Sequence, residues 1–331
     1  MTSPVATSPG RLTTAVVIPH YRDAERFCQQ IAALRKQIRP ADEIIVVDDA
    51  SPEEDFLALM DVLRDHPDVI LHRRLSNGGP SAACNDGLYA IKSDCVAFVA
   101  TDDVVYPDFI AATADILERY PDAAFAFADP AVLQEGEAQA ETFPLCLATQ
   151  PAYFGAQELG AILRRTYLTF ATNTMLFRVP AVIRAGGTPP ELKHFGDTYL
   201  NFVVGLRDGA CYVPKALGTY YWTAKSYAGQ LTRNRREMRA MTDAMLSVLT
   251  ERHPDCYEQF RTIGVLPAHN LRVLGYLLQS AAGRRYLTPK IAMMCTLLGT
   301  WHGLRLLLPA GVRRLARRAA SRLARPASDP A

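Results

Sequence analysis

A chain of 331 residues with 49% hydrophobic content has the length for one large α/β domain plus an appendage, and its composition is that of an ordinary globular protein. Seven cysteines (Cys28, Cys84, Cys95, Cys146, Cys211, Cys256 and Cys295) stand singly with no Cys-x-x-Cys pair, which argues against a disulfide framework and a zinc site and fits a reducing cytosol. The net charge of +2 conceals an asymmetry: residues 261–328 hold no acid and twelve of the 36 Lys and Arg, leaving 24 basic against 34 acidic residues elsewhere. Such a segment seeks an anionic surface, either membrane phospholipid or nucleic acid.

Residues 1–11 begin Ser/Thr/Pro-rich with no apolar run and are expected to form a disordered lead, not a signal peptide. Short apolar runs at 15–18, 43–47, 69–72, 96–100 and 124–127 predict strands, and amphipathic stretches at 24–36, 53–65, 81–91 and 108–120 predict the helices between them. That alternation is the order of a mostly parallel sheet covered by helices. Residues 134–154 read as an irregular connection. A strand is expected over 172–178, a turn at Gly186-Gly187-Thr188-Pro189-Pro190, a helix over 198–207 and a strand over 210–213. From residue 235 the pattern is helical: 235–252, 257–282, 289–308 and 312–323. The expected division is therefore residues 12–234 as an α/β unit and 235–331 as a helical, basic region.

Three strands end in polar residues: Pro19-His20-Tyr21, Asp48-Asp49-Ala50-Ser51-Pro52 and Thr101-Asp102-Asp103. In an open, doubly wound sheet the carboxyl ends of strands share one crevice, and paired Asp there offers hard oxygen ligands to a divalent cation bridging a diphosphate. Tyr21 is suited to stack on a base, Asp49 to accept from a base N–H or a ribose hydroxyl, and Asp102 and Asp103 to hold ribose and cation. The competing readings are structural: Asp102-Asp103 as acids at a helix N-terminus, and Asp48, Asp49 and Ser51 as a capped turn before the next helix. The run Asn77-Gly78-Gly79-Pro80-Ser81 with Asn85-Asp86-Gly87-Leu88 enters a helix through glycines, either hugging a nucleotide or simply turning. It matches neither the Gly-x-Gly-x-x-Gly dinucleotide fingerprint nor the Walker loop, which counts against a dehydrogenase or an NTPase.

Taken together, Val16-Val17-Ile18-Pro19-His20-Tyr21, Glu43-Ile44-Ile45-Val46-Val47-Asp48-Asp49-Ala50-Ser51, the Asn77 and Asn85 motifs and Ala100-Thr101-Asp102-Asp103 resemble the inverting family 2 glycosyltransferases of GT-A fold. The resemblance covers about residues 12 to 225. It implies a Rossmann-like sheet, a UDP- or dTDP-sugar donor, and Mg²⁺ or Mn²⁺ at the Asp pair. Carried over by motif, Pro19 and Tyr21 line the base pocket, Asn77 belongs to the nucleotide-binding loop, Asp49 binds the base, Asp102 the ribose and Asp103 the metal. Ala100 stands where family members often have the first Asp of Asp-x-Asp-Asp. The family's catalytic base, a carboxylate heading a helix, matches Asp197 in His194-Phe195-Gly196-Asp197-Thr198, without a Glu before it; the competing role for Asp197 is a helix cap. Tyr220-Tyr221-Trp222 with Lys225-Ser226 resembles the strand and loop that close over donor phosphates or acceptor, with aromatic core as the alternative.

The function implied is sugar transfer to a saccharide or lipid-linked acceptor in bacterial cell-surface polysaccharide or glycolipid synthesis, by a cytoplasmic protein peripheral to the inner membrane face. Residues 291–308 fall short of a clean transmembrane span of about 20 residues. Residues 312–323 set arginines beside a Val/Leu/Ala face, as interfacial helices do. The alternatives are an inactive sugar-nucleotide-binding scaffold, suggested by Ala100, and a nucleic-acid binder, suggested only by the basic tail. Acceptor choice is expected to reside in residues 130–195.

Overall fold

The computed structural model describes residues 10–307 except 167, 169, 224, 225, 267 and 268, with the side chains of 228, 229, 232 and 301–307 also outside the description. The expected lead, most of which precedes residue 10, and the helix expected over 312–323 lie outside the described residues. In chain order the first half runs β1 (Thr14–His20), α1 (Ala24–Leu34), β2 (Glu43–Asp48), α2 (Glu53–Leu63), β3 (Ile70–Arg73), α3 (Pro80–Ala90), β4 (Cys95–Phe98), β5 (Val104–Val105), α4 (Phe109–Arg119) and β6 (Phe125–Asp129). Strands β1, β2, β4 and β6 carry unbroken apolar runs, with polar residues only at the ends of β1, β2 and β6, because both faces of the sheet are covered, the sequence signature of a buried, mostly parallel sheet. On one face Val16, Ile18, Ile44 and Val46 meet Phe27 and Ile31 of α1, Leu59 of α2 and Leu117 of α4. On the other, Val17, Ile45, Val47 and Phe98 meet Ala83 and Leu88 of α3. Gly87 is the contact point of α3 with β1: a Cβ there would lie 2.4 Å from Val17 Cγ1.

The chain then forms β7 (Ala131–Gln134), β8 (Glu141–Thr142), β9 (Ala152–Phe154), α5 (Ala156–Arg165), β10 (Leu176–Arg178), α6 (Val179–Ala185), α7 (Gly196–Asp208), β11 (Ala210–Ala216) and β12 (Gly218–Trp222). The main sheet has the order β3-β2-β1-β4-β10-β6-β11-β9, with β10 and β9 antiparallel to their neighbours; a second sheet, β5-β12-β7-β8, stands at its edge. Two expectations are corrected here. The strand expected over 172–178 is a 3₁₀ turn at Thr172–Thr174 followed by only three strand residues. The irregular stretch 134–154 contains β8 and β9. In β11 the register shifts between Val213 and Ala216, around Pro214, which has no N–H for the ladder.

From residue 227 the chain is helical: α8 (Tyr227–Arg233), α9 (Arg235–Arg252), α10 (Pro254–Ile263), α11 (Leu271–Gln279), α12 (Ala281–Tyr286) and α13 (Pro289–Leu307). The single helix expected over 257–282 is three. Left-handed Gly264 (φ 84°) closes α10, and Asn270 and Ser280 cap the N-termini of α11 and α12; an unbroken apolar periodicity had masked these stop and start signals. These helices share the core under α7, with Phe260 fully buried and its ring 5.8 Å from that of Phe202. Among the described residues no helix is long and apolar enough to cross a membrane.

Candidate active site

Strand β1 has β2 and β3 on one side and β4 on the other, so the chain reverses direction of travel across the sheet at β1/β4. In such folds the crevice at that switch point is where ligands bind. Pro19 pairs in register with Val47, and His20 with Asp48, so the ends of β1 and β2 arrive together. Tyr21 is exposed beyond them, with the Arg22 guanidinium 4.9 Å from its ring centre. Arg22 and Ala50 both take positive φ (62° and 57°), and the Arg22 amide donates to Ser51 Oγ at 3.0 Å, which locks the two turns against each other.

The neighbouring aspartates of β2 divide into two roles. Asp48 is fully buried; it meets His20 Nδ1 at 3.0 Å and accepts the Ser51 amide at 3.1 Å, so it is the turn-holding residue. Asp49 points the other way and accepts the Gly78 amide at 2.9 Å, the Gly79 amide at 2.7 Å and Arg74 Nη1 at 2.5 Å. Three of its roughly four lone-pair positions are thereby filled, which leaves one for a ligand donor. Gly79 has φ 81°, the left-handed region that favours glycine, and a Cβ on it would crowd the Tyr227 hydroxyl of α8 at 3.2 Å. Asn77 is exposed in the same loop.

Asp102 and Asp103 follow β4 and lead into β5; helix α4 starts only at Phe109, so they are not acids of a helix N-terminus. Burial raises the Asp102 pKa, opposed by Arg26 Nη1 at 3.7 Å. Burial raises Asp103 well above the usual carboxylate range, and the charges of Asp102 and Asp197 raise it further; the backbone amides of Ala100 and Tyr221 work against this. Strand β12, antiparallel to β5, supplies that Tyr221 amide and sets the Tyr221 ring 5.2 Å from the Arg26 guanidinium. Tyr220 is half-buried beside Asp103 and Trp222 is 49% exposed, so this aromatic run borders the crevice and is not core. Lys225 lies outside the described residues.

Asp197 is the second residue of α7. The helix has no side-chain cap, so the capping alternative does not describe it. Its carboxyl is accessible through the crevice mouth yet set deep among protein atoms, and this desolvation pushes its pKa up to about 6. Its charge reaches both Asp103 and the partly buried Cys84. Two other carboxylates of this region are paired: Glu191 with Arg252 at 2.6 Å and Asp208, at the far end of α7, with Arg184 at 2.8 Å. Sequence reasoning missed Arg74 and Arg26. Arg74 sits just past the end of β3, where the strand-end reasoning applied to β1, β2 and β4 also points; nothing in the sequence singles out Arg26.

A Rossmann-like sheet with carboxylates at its switch point and a small second sheet paired through β5 and β12 is the GT-A architecture. The family model "Glycosyl transferase family 2" matches residues 15–179, and the chain belongs to that family. It is 30% identical over 94 residues to a poly(ribitol-phosphate) beta-glucosyltransferase of Bacillus spizizenii, covering 28% of this chain and 15% of the relative. Hyaluronan synthase of Streptococcus pyogenes is 26% identical over 221 residues, 63% of this chain and 49% of the synthase. The chain thus spans about half or less of these relatives' lengths. Among solved structures, S. aureus TarS 1–349 superposes with TM-score 0.59 at 14% identity, over 86% of this chain and 83% of that one. TarS 1–349 in complex with UDP gives 0.53 at 15% identity, over 83% and 89%.

The family implies a divalent cation, and Asp103 fits one. Its oxygens are hard donors crowded by two negative charges, Arg26 is directed to Asp102, and among the described residues no ion pair reaches Asp103. No three His, Cys, Asp or Glu among the described residues converge as a cage. One or two carboxylates plus substrate phosphates is the usual provision for Mg²⁺.

Proposed function

We propose that the protein transfers a sugar from a UDP- or dTDP-sugar to a hydroxyl of a saccharide or lipid-linked acceptor, with inversion at the anomeric carbon, in bacterial cell-surface polysaccharide or glycolipid synthesis. The observation that carries this reading is Asp197: a carboxyl on the first turn of α7, free of capping duty, pushed up to about 6 and near enough for its charge to act on Asp103. TarS structures with UDP and with UDP-GlcNAc support a nucleotide-sugar donor, and the names of the sequence relatives support a polymer-building role.

In this reading Pro19 and Tyr21 line the base, the remaining lone pair of Asp49 accepts a base N–H, Asn77 approaches the nucleotide and Asp102 accepts a ribose hydroxyl. Asp103 would hold Mg²⁺ or Mn²⁺, which when bound supplies neutralisation of the leaving diphosphate. Asp197 accepts the acceptor's hydroxyl proton as that oxygen forms its bond to the anomeric carbon, and attack opposite the leaving group inverts the centre. Residues 12–234 form the catalytic unit, and residues 235–331 the helical one. The acid-free stretch 261–328, with exposed Leu271 and Leu278 on α11 and Met293 and Leu297 on α13, supports association with an anionic membrane at its cytoplasmic face. A panel of UDP- and dTDP-sugars with and without Mn²⁺, read by thermal shift and by release of nucleoside diphosphate, tests the proposal. Absence of both stabilisation and turnover across the panel overturns it.

A further inference from the structure

We propose that Glu237, on the first turn of α9, is a positioning residue for Asp197: its ion pair with Lys193 holds a strained peptide that aims the start of α7. This rests on the reading of Asp197 as the base. Lys193 lies in the 3₁₀ segment Pro190–Phe195 with φ 48° and ψ −122°, a conformation that glycine accepts and a side chain with a Cβ resists. The consequence of that twist is where the Lys193 carbonyl goes. It accepts the Gly196 amide, at the first residue of α7, and the Ser81 hydroxyl at 3.1 Å from α3. Asp197 is the next residue, so the direction of its Cα–Cβ bond follows the Lys193 peptide.

Two helices hold this loop from opposite sides. From α3, Asn85 donates to the Thr188 carbonyl and accepts the Thr188 amide, both at 2.9 Å, and Thr188 Oγ1 donates to the Ser81 carbonyl at 3.0 Å. From α9, Glu237 Oε2 takes Lys193 Nζ at 2.6 Å, and Arg252 pairs with Glu191 at 2.6 Å. The α3 anchors hold Thr188 upstream of the twist and the Lys193 carbonyl, whereas the Glu237 pair holds the Lys193 side chain. An ion pair at a surface is ordinarily weak in stability, but here both partners are only partly exposed and the pair selects between backbone states of one residue. A displacement of a reacting group by about 1 Å costs on the order of 10² in rate, so a small backbone relaxation is enough to register.

The test uses the full chain and four variants. Glu237→Gln and Lys193→Met both break the pair and keep the side-chain strain at 193. Lys193→Gly breaks the same pair but removes the strain. In sugar transfer, E237Q and K193M are expected to lose ~10- to 100-fold in kcat with donor KM within about twofold of wild type. Amide exchange across residues 190–200, read by mass spectrometry, is expected to speed up in both. E237Q combined with K193G is expected to recover most of kcat and of the exchange protection. Unchanged exchange in E237Q overturns the proposal, as does faster exchange with unchanged kcat, and as does failure of K193G to rescue a damaged E237Q. If wild-type protein consumes no nucleotide-sugar, it is the function reading that fails, and the exchange measurements still decide whether Glu237 holds the loop.

Discussion

The charge of Asp197, on the first turn of α7, reaches across the crevice and helps to hold the Asp103 carboxyl above its ordinary range. These two carboxylates come from sequence positions almost a hundred residues apart, the desolvation around each raises its pKa, and among the described residues no ion pair reaches either. A site that concentrates negative charge in this way favours a cation and a proton, the two things that transfer to a hydroxyl acceptor must manage.

Asp103→Asn is expected to separate metal from nucleotide. In wild type, calorimetric titration of UDP or dTDP is expected to show affinity strengthened by Mn²⁺, and in the variant that increment should vanish. Equal strengthening in both proteins removes Asp103 from the metal role.

For Asp197→Asn the expected outcome is loss of ~10² to 10⁴ in transfer rate with donor binding retained. The wild-type rate should rise with pH through about 6, because a base acts only when ionised. The stability effect has the opposite sign. A carboxyl whose native pKa lies above its unfolded value favours the native state at low pH, and that contribution is lost as pH rises through the interval from 3.8 to about 6. The Asn variant does not titrate, so relative to wild type its Tm should be higher at pH 7.5 than at pH 3.5. A constant difference between the two pH values contradicts the assignment.

At Gly87 the expected effect is structural. A methyl group there meets Val17 Cγ1 at 2.4 Å, so Gly87→Ala forces α3 off β1 and should cost ~1–3 kcal/mol by denaturant titration. A neutral result means that α3 shifts without penalty.

Asp49→Ala strands the Gly78 and Gly79 amides and Arg74 at once. The expected result is weaker nucleotide binding together with a stability loss of ~1.5–3 kcal/mol or more, the scale of hydrogen bonds to a charged group. Loss of binding with full stability would mean that the loop does not depend on this anchor.

For the membrane proposal, Leu278→Glu with Leu297→Glu places charge on outward-facing positions of α11 and α13. Co-sedimentation with anionic vesicles at low salt should fall while nucleotide binding holds. If wild type ignores such vesicles, the basic segment serves another purpose.

The parallel core was legible because Val16 to Ile18, Ile44 to Val47 and Val96 to Phe98 are apolar on both faces, and two-sided burial leaves few alternatives. The strand ends were legible for the same reason, since a polar residue after such a run has only the sheet edge to occupy. Asp197 was singled out through the resemblance, as an acid at a helix start, and its charge on Asp103 became visible only with the sheet assembled. What escaped depends on pairings between distant residues. Arg74 with Asp49 and Lys193 with Glu237 carry no local pattern, and β10 is three residues long and joined to the sheet antiparallel. The helix break at Gly264 was hidden because the helices on both sides bury the same kinds of residue.

The position of β10 in the sheet has a consequence for synthesis. Strand β4 finds one neighbour, β1, early, but its other neighbour is residues 176–178, some eighty residues downstream. At ~5–20 residues per second, the growing chain presents the open flank of β4 for several seconds before its partner leaves the ribosome. An apolar strand with an open flank is a template for wrong pairing. Charged residues bracket this one: Asp94 immediately before it, and Asp102 and Asp103 shortly after. Such flanking charges discourage aggregation of an unavoidable apolar strand. On that argument, neutralising Asp102 and Asp103 together is expected to lower the yield of soluble protein even where chemistry is not being assayed.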